Sequence, residues 1–178
     1  MSTLSEKYDW QTRVGWALKG RTHVLITGEC APQRRSTIIH DLYHSYLSSS
    51  EYTPLIVATP KQRGTDARLL HAIVAAAGLP PKRSRYELFR DFAAYCAEQY
   101  GAGKRVLLLI DDAHLLMTPM MRVLHSLSTI VVSDDLAVQM VLVGESALTV
   151  KFRQDKWRAL DSRVGLRVRI ISEETKAA

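Results

Sequence analysis

Residues 104–116 read KRVLLLIDDAHLL, and this stretch decides the fold. Its apolar run at residues 106–110 is too short to cross a membrane and has the length of a strand buried on both faces. Two carboxylates, Asp111 and Asp112, follow directly. Ligands of an open parallel sheet bind at the carboxyl ends of its strands, so these acids are placed to hold a hydrated Mg²⁺ and to orient a water. A plainer alternative is equally open, because Asp also favours turns and helix starts.

The composition indicates one globular domain. A chain of 178 residues can bury a substantial core, and 47% hydrophobic with 24% charged residues is ordinary for a water-soluble protein. No apolar run approaches the roughly 20 residues of a membrane span, so no membrane partner is expected. Cys30 and Cys96 have neither metal nor disulfide spacing, which favours a cytoplasmic location. The net charge of +6 permits a polyanionic partner.

Short apolar runs alternate with segments of helical period along the chain. This alternation predicts an α/β fold, a three-layer sandwich around a five-stranded, mainly parallel sheet. The strand at 106–110 is expected to be central and flanked by the strands that start at His23 and Leu55. The predicted strands are residues 23–27, 55–59, 106–110, 137–143 and 166–171, and the predicted helices are residues 9–18, 36–47, 66–77, 85–100, 118–131 and 146–160.

The first strand is followed by a glycine and then by a helix, where a phosphate-binding loop would lie. A Walker A motif has the pattern G-x-x-x-x-G-K-[ST]. Its glycines let backbone N–H groups surround the phosphates, its Lys meets the phosphate oxygens and its hydroxyl binds Mg²⁺. The corresponding residues are a degenerate version of this motif: Gly28, Glu29, Cys30, Ala31, Pro32, Gln33, Arg34, Arg35 and Ser36.

Two alignments of this loop are possible. Counted from the first glycine, Gln33 replaces the second Gly, Arg34 the Lys and Arg35 the hydroxyl. With one inserted residue, Arg35 and Ser36 become the Lys–Ser pair. Pro32 contributes no N–H, but the arginines keep positive charge at a helix start, where an anion could bind. A strand–helix turn without any ligand remains the alternative interpretation.

Four motifs together resemble the AAA+ ATPases that regulate DNA transposition. These are the TniB/TnsC and Mu B type proteins, with the ExeA-like secretion ATPases as near relatives. The resemblance covers roughly residues 20–171 and includes a Walker B motif at the DD pair. The motifs are VLITGE at 24–29, LLLIDDAHLL at 107–116, VLVGESAL at 141–148 and LDSRV at 160–164.

The resemblance implies ATP and Mg²⁺ as cofactors, with the loop residues 28–31 and 33–36 as nucleotide contacts. Asp111 and Ser36 would hold Mg²⁺, and Asp112 would replace the usual catalytic Glu that polarises the attacking water. Glu145 or Ser146, at the end of the strand at 141–143, would lie near the γ-phosphate. Arg163 would reach the site of a neighbouring subunit as a trans arginine finger. An arginine before an apolar residue is also common on surfaces, where it forms ion pairs.

Basic residues supply candidate DNA contacts. Lys61 and Arg63 lie in the short basic loop ATPKQRGTD after the second strand, and similar loops face the central channel in related proteins that bind DNA. Charge of this kind gives sequence-independent, salt-sensitive binding. Each cluster could equally be a solvated surface. The other candidates are Lys82, Arg83, Arg85, Lys151, Arg153, Lys156 and Arg158.

The resulting hypothesis is a reduced AAA+ transposition regulator. It would bind double-stranded DNA non-specifically, form a homo-oligomer and recruit a transposase or related partner, with nucleotide as a regulatory ligand. The alternatives are an active ATP hydrolase of the same fold and a nucleotide-dead adaptor that presents a protein-binding face. The expected organisation is an N-terminal segment at 1–22, a core at 23–171 and a short tail at 172–178, which leaves no room for a helical lid.

Overall fold

The computed structural model describes residues 3–61 and 66–170. Two short 3-10 helices, Ala113–Leu115 and Asp155–Trp157, accompany the main elements. The strands are β1 (His23–Thr27), β2 (Tyr52–Ala58), β3 (Arg105–Asp111), β4 (Val131–Val132), β5 (Asp135–Leu136), β6 (Val138–Gly144) and β7 (Val164–Arg169). The helices are α1 (Thr3–Lys19), α2 (Pro32–Leu47), α3 (Asp66–Ala76), α4 (Arg85–Gly101), α5 (Thr118–Leu127), α6 (Ala147–Phe152) and α7 (Arg158–Asp161).

Five strands form one parallel sheet in the order β2-β3-β6-β1-β7, which confirms the predicted α/β class. The expectation that β3 lies beside β1 was wrong, because β6 is inserted between them. Every residue of β6 is buried, as befits the middle strand of a sheet covered on both faces. β7 pairs with β1 alone and forms one edge, as its alternating arginines predicted.

The side chains of β3 show how the sheet divides the core into two layers. Leu107 and Leu109 belong to the apolar cluster that includes residues of α1 and α2, whereas Val106, Leu108 and Ile110 belong to the cluster that includes residues of α3, α4 and α5. This alternation follows from the two-residue period of a strand. The three-layer arrangement leaves the ends of the strands as the open edges of the molecule.

Several element boundaries differ from the sequence prediction. Helix α2 begins at Pro32 rather than at residue 36, since proline suits the first turn of a helix. Helix α5 ends at Leu127, and residue 131 lies instead in the hairpin formed by β4 and β5. The two turn residues of this hairpin, Ser133 and Asp134, both have positive φ, which is typical of a tight two-residue turn. The helix predicted at 146–160 is divided into α6, a 3-10 helix and α7.

Within the described ranges, none of the helices combines the length and the apolar character that crossing a membrane requires.

His23, the first residue of β1, is fully buried. Its Nδ1 accepts a hydrogen bond from the Met140 backbone N–H (3.3 Å), and its Nε2 has no partner among the described residues. Burial and the nearby Arg163 charge lower the pKa of His23 from 6.5 to about 4. The folded protein therefore holds His23 neutral over a range in which the unfolded chain binds a proton.

We predict that this difference makes the protein acid-sensitive. Between pH 6.5 and about 4 the unfolded state binds more protons, so the free energy of unfolding falls as the pH falls through this window. The contribution of His23 is about 3 kcal/mol when the full window has been crossed. Urea unfolding at several pH values, compared with the His23→Leu variant, measures it. The variant loses one hydrogen bond, but its free energy of unfolding should change less with pH than that of the wild type. Equal slopes of unfolding free energy against pH for the two proteins would contradict the prediction.

Candidate functional site

The carboxyl ends of β1, β3 and β6 lie side by side, and a four-residue loop at 28–31 joins β1 to α2. Gly28 is held tightly within this loop. Its N–H donates to the Gly144 carbonyl at the end of β6 (3.1 Å). A Cβ placed on Gly28 would lie 2.4 Å from the Ile170 carbonyl oxygen. Glycine is thus required here by the approach of the chain after β7, in addition to any ligand.

Ser36 and Asp111 meet across the site. The Ser36 hydroxyl donates to Asp111 Oδ2 at 2.8 Å, and Asp111 Oδ1 accepts the Asp112 N–H at 2.7 Å. A Walker A hydroxyl and a Walker B carboxylate are the protein groups that share Mg²⁺ in P-loop NTPases. This contact supports the alignment with one inserted residue, in which Arg35 and Ser36 take the Lys–Ser positions.

Arg35 occupies the middle of the site. The residue is only 4% exposed. Its Nη1 donates to the Cys30 carbonyl at 2.7 Å, and its Nη2 lies 3.4 Å from Asp112 Oδ1 and 3.3 Å from Glu145 Oε1. Gln33 and Arg34 are exposed on the outer side of α2. Of the two candidate lysine replacements, Arg35 alone is placed among the acids.

Asp112 adopts a left-handed backbone conformation with φ of 50°, which Asp tolerates better than most residues. This turn directs its carboxylate toward two cations, since Lys61 Nζ lies 3.6 Å from its Oδ2 on the side opposite to the Arg35 contact. Lys61 is 78% exposed, so its ion pair contributes little to stability. The structure therefore brings a predicted DNA contact to the edge of the phosphate-loop site.

Two further contacts connect β6 to the site. His114 Nε2 lies 3.4 Å from Glu145 Oε1, so this histidine packs beside the acids. Glu29 Oε1 accepts the Ser146 N–H at 3.1 Å, and the side-chain and backbone hydrogen bonds of Ser146 lower the pKa of Glu29. Glu29 is therefore tied to the end of β6 and not to the centre of the loop.

Sequence reasoning missed two residues that support the acidic loop. Lys151, considered a DNA contact, donates from Nζ to the His114 carbonyl (2.7 Å) and to the Leu116 carbonyl. Burial lowers the pKa of this amine. A Cβ on Gly144 would lie 2.8 Å from the His114 N, so the β6 end and this loop are in direct contact. Neither role has a local sequence signal, because both depend on elements distant in the chain.

Arg163 is not brought to this site. It lies just before β7, at the amino-terminal ends of the strands and therefore on the other side of the sheet from this site. There its Nη1 donates to the Ser128 hydroxyl at 2.7 Å. A trans finger acts on a neighbouring subunit, so that role stays a prediction. Arg63 and the proposed tail at 172–178 lie outside the described residues, and so does the end of the predicted strand at residue 171.

The residues fit a magnesium-bound nucleotide in part. Ser36 and Asp111 would hold the metal, which would supply charge neutralisation for phosphates. The described residues contain no group of three or more His, Cys, Asp or Glu side chains arranged for a metal, so phosphates and waters would have to complete the coordination. The loop is less favourable, because the Gly28 N–H is engaged, Pro32 has no N–H and the Arg35 guanidinium already donates to the Cys30 carbonyl.

The sheet order, the short loop at the end of β1 and the acids at the end of β3 define a P-loop NTPase of the AAA+ type. The AAA domain family matches residues 18–152, more than half of the chain, and the chain belongs to this family. No curated protein matches it.

Solved structures share the fold at low sequence identity. The Aeropyrum pernix ORC2 protein, in its ADPNP-ADP complexes, is 14% identical with a TM-score of 0.69, over 97% of this chain and 48% of that chain. Cdc6p from Pyrobaculum aerophilum is 15% identical with a TM-score of 0.67, over 95% and 45%. The Aeropyrum pernix ORC1 protein in complex with DNA is 16% identical with a TM-score of 0.62, over 86% and 41%. The chain thus spans less than half the length of each.

We predict that Arg35→Ala destabilises the protein by about 1–3 kcal/mol, because it leaves Asp112 and Glu145 without their shared cation and the Cys30 carbonyl without its donor. Arg34→Ala, one residue earlier and exposed, is the matched control and should change the stability by less than about 0.5 kcal/mol. Chemical unfolding of both variants measures the difference. Equal effects would show that the Arg35 contacts do not hold the site together.

Proposed function

We propose that this AAA domain binds a magnesium-bound nucleotide as a regulatory ligand, associates with double-stranded DNA and, as an oligomer, recruits a transposase or related recombination protein. The proposal names the TniB/TnsC and Mu B type of regulator that the sequence motifs resemble. Its nucleotide part is carried by one observation, the placement of Arg35 between Asp112 and Glu145 beside the Ser36–Asp111 contact.

The Arg35 contacts favour nucleotide as a ligand over nucleotide as fuel. A phosphate group that approaches this site meets two carboxylates, and the guanidinium that would attract it is engaged with both. Asp112, the expected replacement for the catalytic Glu, is itself held by Arg35 and Lys61. Binding therefore requires Arg35 to exchange carboxylates for phosphates, which reduces the apparent affinity by the cost of that exchange.

Lys61 and one solved structure of similar fold support DNA association. The exposed amine of Lys61 projects at the same edge of the sheet as the nucleotide site. One solved structure of similar fold, the ORC1 protein, is in complex with DNA. A ligand that alters the charge of Asp112 and Arg35 would also alter the field around Lys61, since the Lys61–Asp112 distance is only 3.6 Å. This proximity is a physical route by which nucleotide could regulate DNA association.

We predict that Mg·ATP raises the melting temperature of the protein and that Glu145→Gln tightens its binding about threefold to fivefold. The variant removes one carboxylate that competes for Arg35, and releasing a partly exposed ion pair is worth up to about 1 kcal/mol. Titration calorimetry measures the dissociation constants, and a thermal shift detects binding because a ligand at a hundredfold excess adds about 2.7 kcal/mol to stability.

Two controls make this nucleotide experiment decisive. Glu98→Gln, an exposed acid on α4 away from the site, should leave the affinity unchanged. Asp111→Asn should remove the dependence on Mg²⁺, because it removes half of the Ser36–Asp111 pair. Absence of any shift with Mg·ATP in the wild type and in Glu145→Gln would refute the nucleotide proposal and favour the adaptor alternative.

We also predict that the double variant Lys61→Ala/Arg63→Ala loses affinity for double-stranded DNA and shows a weaker salt dependence. Each lost phosphate contact lowers the slope of log affinity against log salt by about 0.9. Fluorescence anisotropy with a short labelled duplex measures both quantities. Arg13→Ala/Arg122→Ala removes the same charge from exposed positions on α1 and α5 and is the control. Identical curves for the two double variants would remove Lys61 and Arg63 from the DNA interface.

A further inference from the structure

A charged cleft lies at the amino-terminal ends of β2 and β3, on the side of the sheet opposite to the phosphate-loop site. It has a volume of about 640 Å³ and is formed by the end of α1, the turn before β1, the start of β2 and the connection from α4 to β3. We call it the basal cleft. Its lining residues are Lys19, Arg21, Glu51, Tyr52, Tyr100, Gly103, Lys104 and Arg105.

The basal cleft has a fixed floor of charged and polar groups. Asp135, only 6% exposed, lies beneath it in β5. Its two carboxylate oxygens contact Arg21 Nη1 at 2.9 Å and Arg105 Nη2 at 3.0 Å, and the Tyr100 hydroxyl donates to Oδ2 at 3.3 Å. Burial alone would raise the pKa of Asp135, but the Arg105 and Arg21 charges outweigh it and lower the pKa. One buried acid thus holds two guanidinium groups at the floor of the cleft.

The balance of charge at the basal cleft is positive. Its lining carries four cations and one acid, and the buried Asp135 neutralises one more cation, which leaves a net charge of about +2 at neutral pH. Lys19 and Lys104 stand at the ends of α1 and of the turn after α4, where cations also complement the partial negative charge of helix C-termini. This interaction with the helix ends accounts for Lys19 and Lys104 individually, but it does not account for four cations that line one cleft.

Tyr52, only 3% exposed, also lines the basal cleft, and its hydroxyl is buried beside the Arg105 guanidinium. Guanidinium and ammonium donors that line one cleft match the oxygens of a phosphate group.

We propose that the basal cleft binds the sugar-phosphate backbone of nucleic acid, as a contact surface separate from Lys61. The backbone is favoured over a small phosphorylated molecule because the cleft is open along its exposed rim, where Lys19 lies, and because the whole chain carries a net charge of +6. Contacts of this kind bind without reading sequence. The proposal shares with the proposed function only the premise that the protein binds DNA.

The double variant Lys19→Gln/Lys104→Gln tests this surface and leaves the Asp135 network intact. Anisotropy with a labelled duplex, measured over a range of salt concentrations, should show a dissociation constant raised on the order of tenfold and a salt slope lowered by about 1.8. Arg13→Gln/Arg122→Gln removes the same charge elsewhere and should behave as the wild type. The melting temperature of each variant establishes whether it is folded. If the double variant does not fold, the single variant Lys104→Gln is tested in its place.

The outcomes separate this proposal from the function proposed above. If the wild type binds DNA and the basal-cleft variant binds it with the same affinity and salt slope as the control, the basal cleft is not a DNA contact although DNA association stands. If the wild type binds no duplex, both statements fail. If pyrophosphate raises the melting temperature of the wild type but not of the basal-cleft variant, and DNA binding is unaltered, the ligand is a small anion and the nucleic-acid assignment is wrong.

Discussion

The buried charge of Arg35 is the constraint on which the candidate site depends. A guanidinium that is 4% exposed must be paired, since an isolated charge in the protein interior is costly. Its partners come from three segments: the Cys30 carbonyl of the loop after β1, Asp112 after β3 and Glu145 after β6. The loop, the acids and the strand ends are therefore a single electrostatic unit, and none of them can be rearranged by a ligand without the others.

Those features of the structure that depend on residues close together in the sequence could be predicted from it. The bounds of β1 and the buried run of β3 follow from local apolar patterns. The position of β6 between β3 and β1 could not be read from such patterns, because strand order is set by packing between distant segments. The site shows the same division. Asp111 and Ser36 were identified by motif, but their contact, which joins residues 75 positions apart, could be found only in the structure. That contact and the burial of Arg35 distinguish the two loop alignments. The burial of Arg35 gave no signal, since arginine is usually exposed.

At each end of the strands, one buried charge is paired with two charges of opposite sign. At the carboxyl edge one buried cation is shared by two carboxylates, and at the amino edge one buried acid, Asp135, is shared by two arginines. In the first arrangement the shared cation is buried among its partners, whereas in the second both arginines line the basal cleft. The fold of an AAA domain supplies both edges, but the chain spans less than half of the solved structures of similar fold, so their other activities are not carried over by the fold alone.

The contact between Gly28 and Ile170 has a mechanical consequence. The backbone at the end of β7 lies against the glycine so closely that a single added carbon would fall 2.4 Å from the Ile170 oxygen, and the Ile170 N–H is hydrogen-bonded to the Thr27 carbonyl. The loop has no free space on this side. A displacement of the loop toward Ile170 must therefore shift the backbone at the end of β7 as well, so the positions of the loop and of this strand end are coupled.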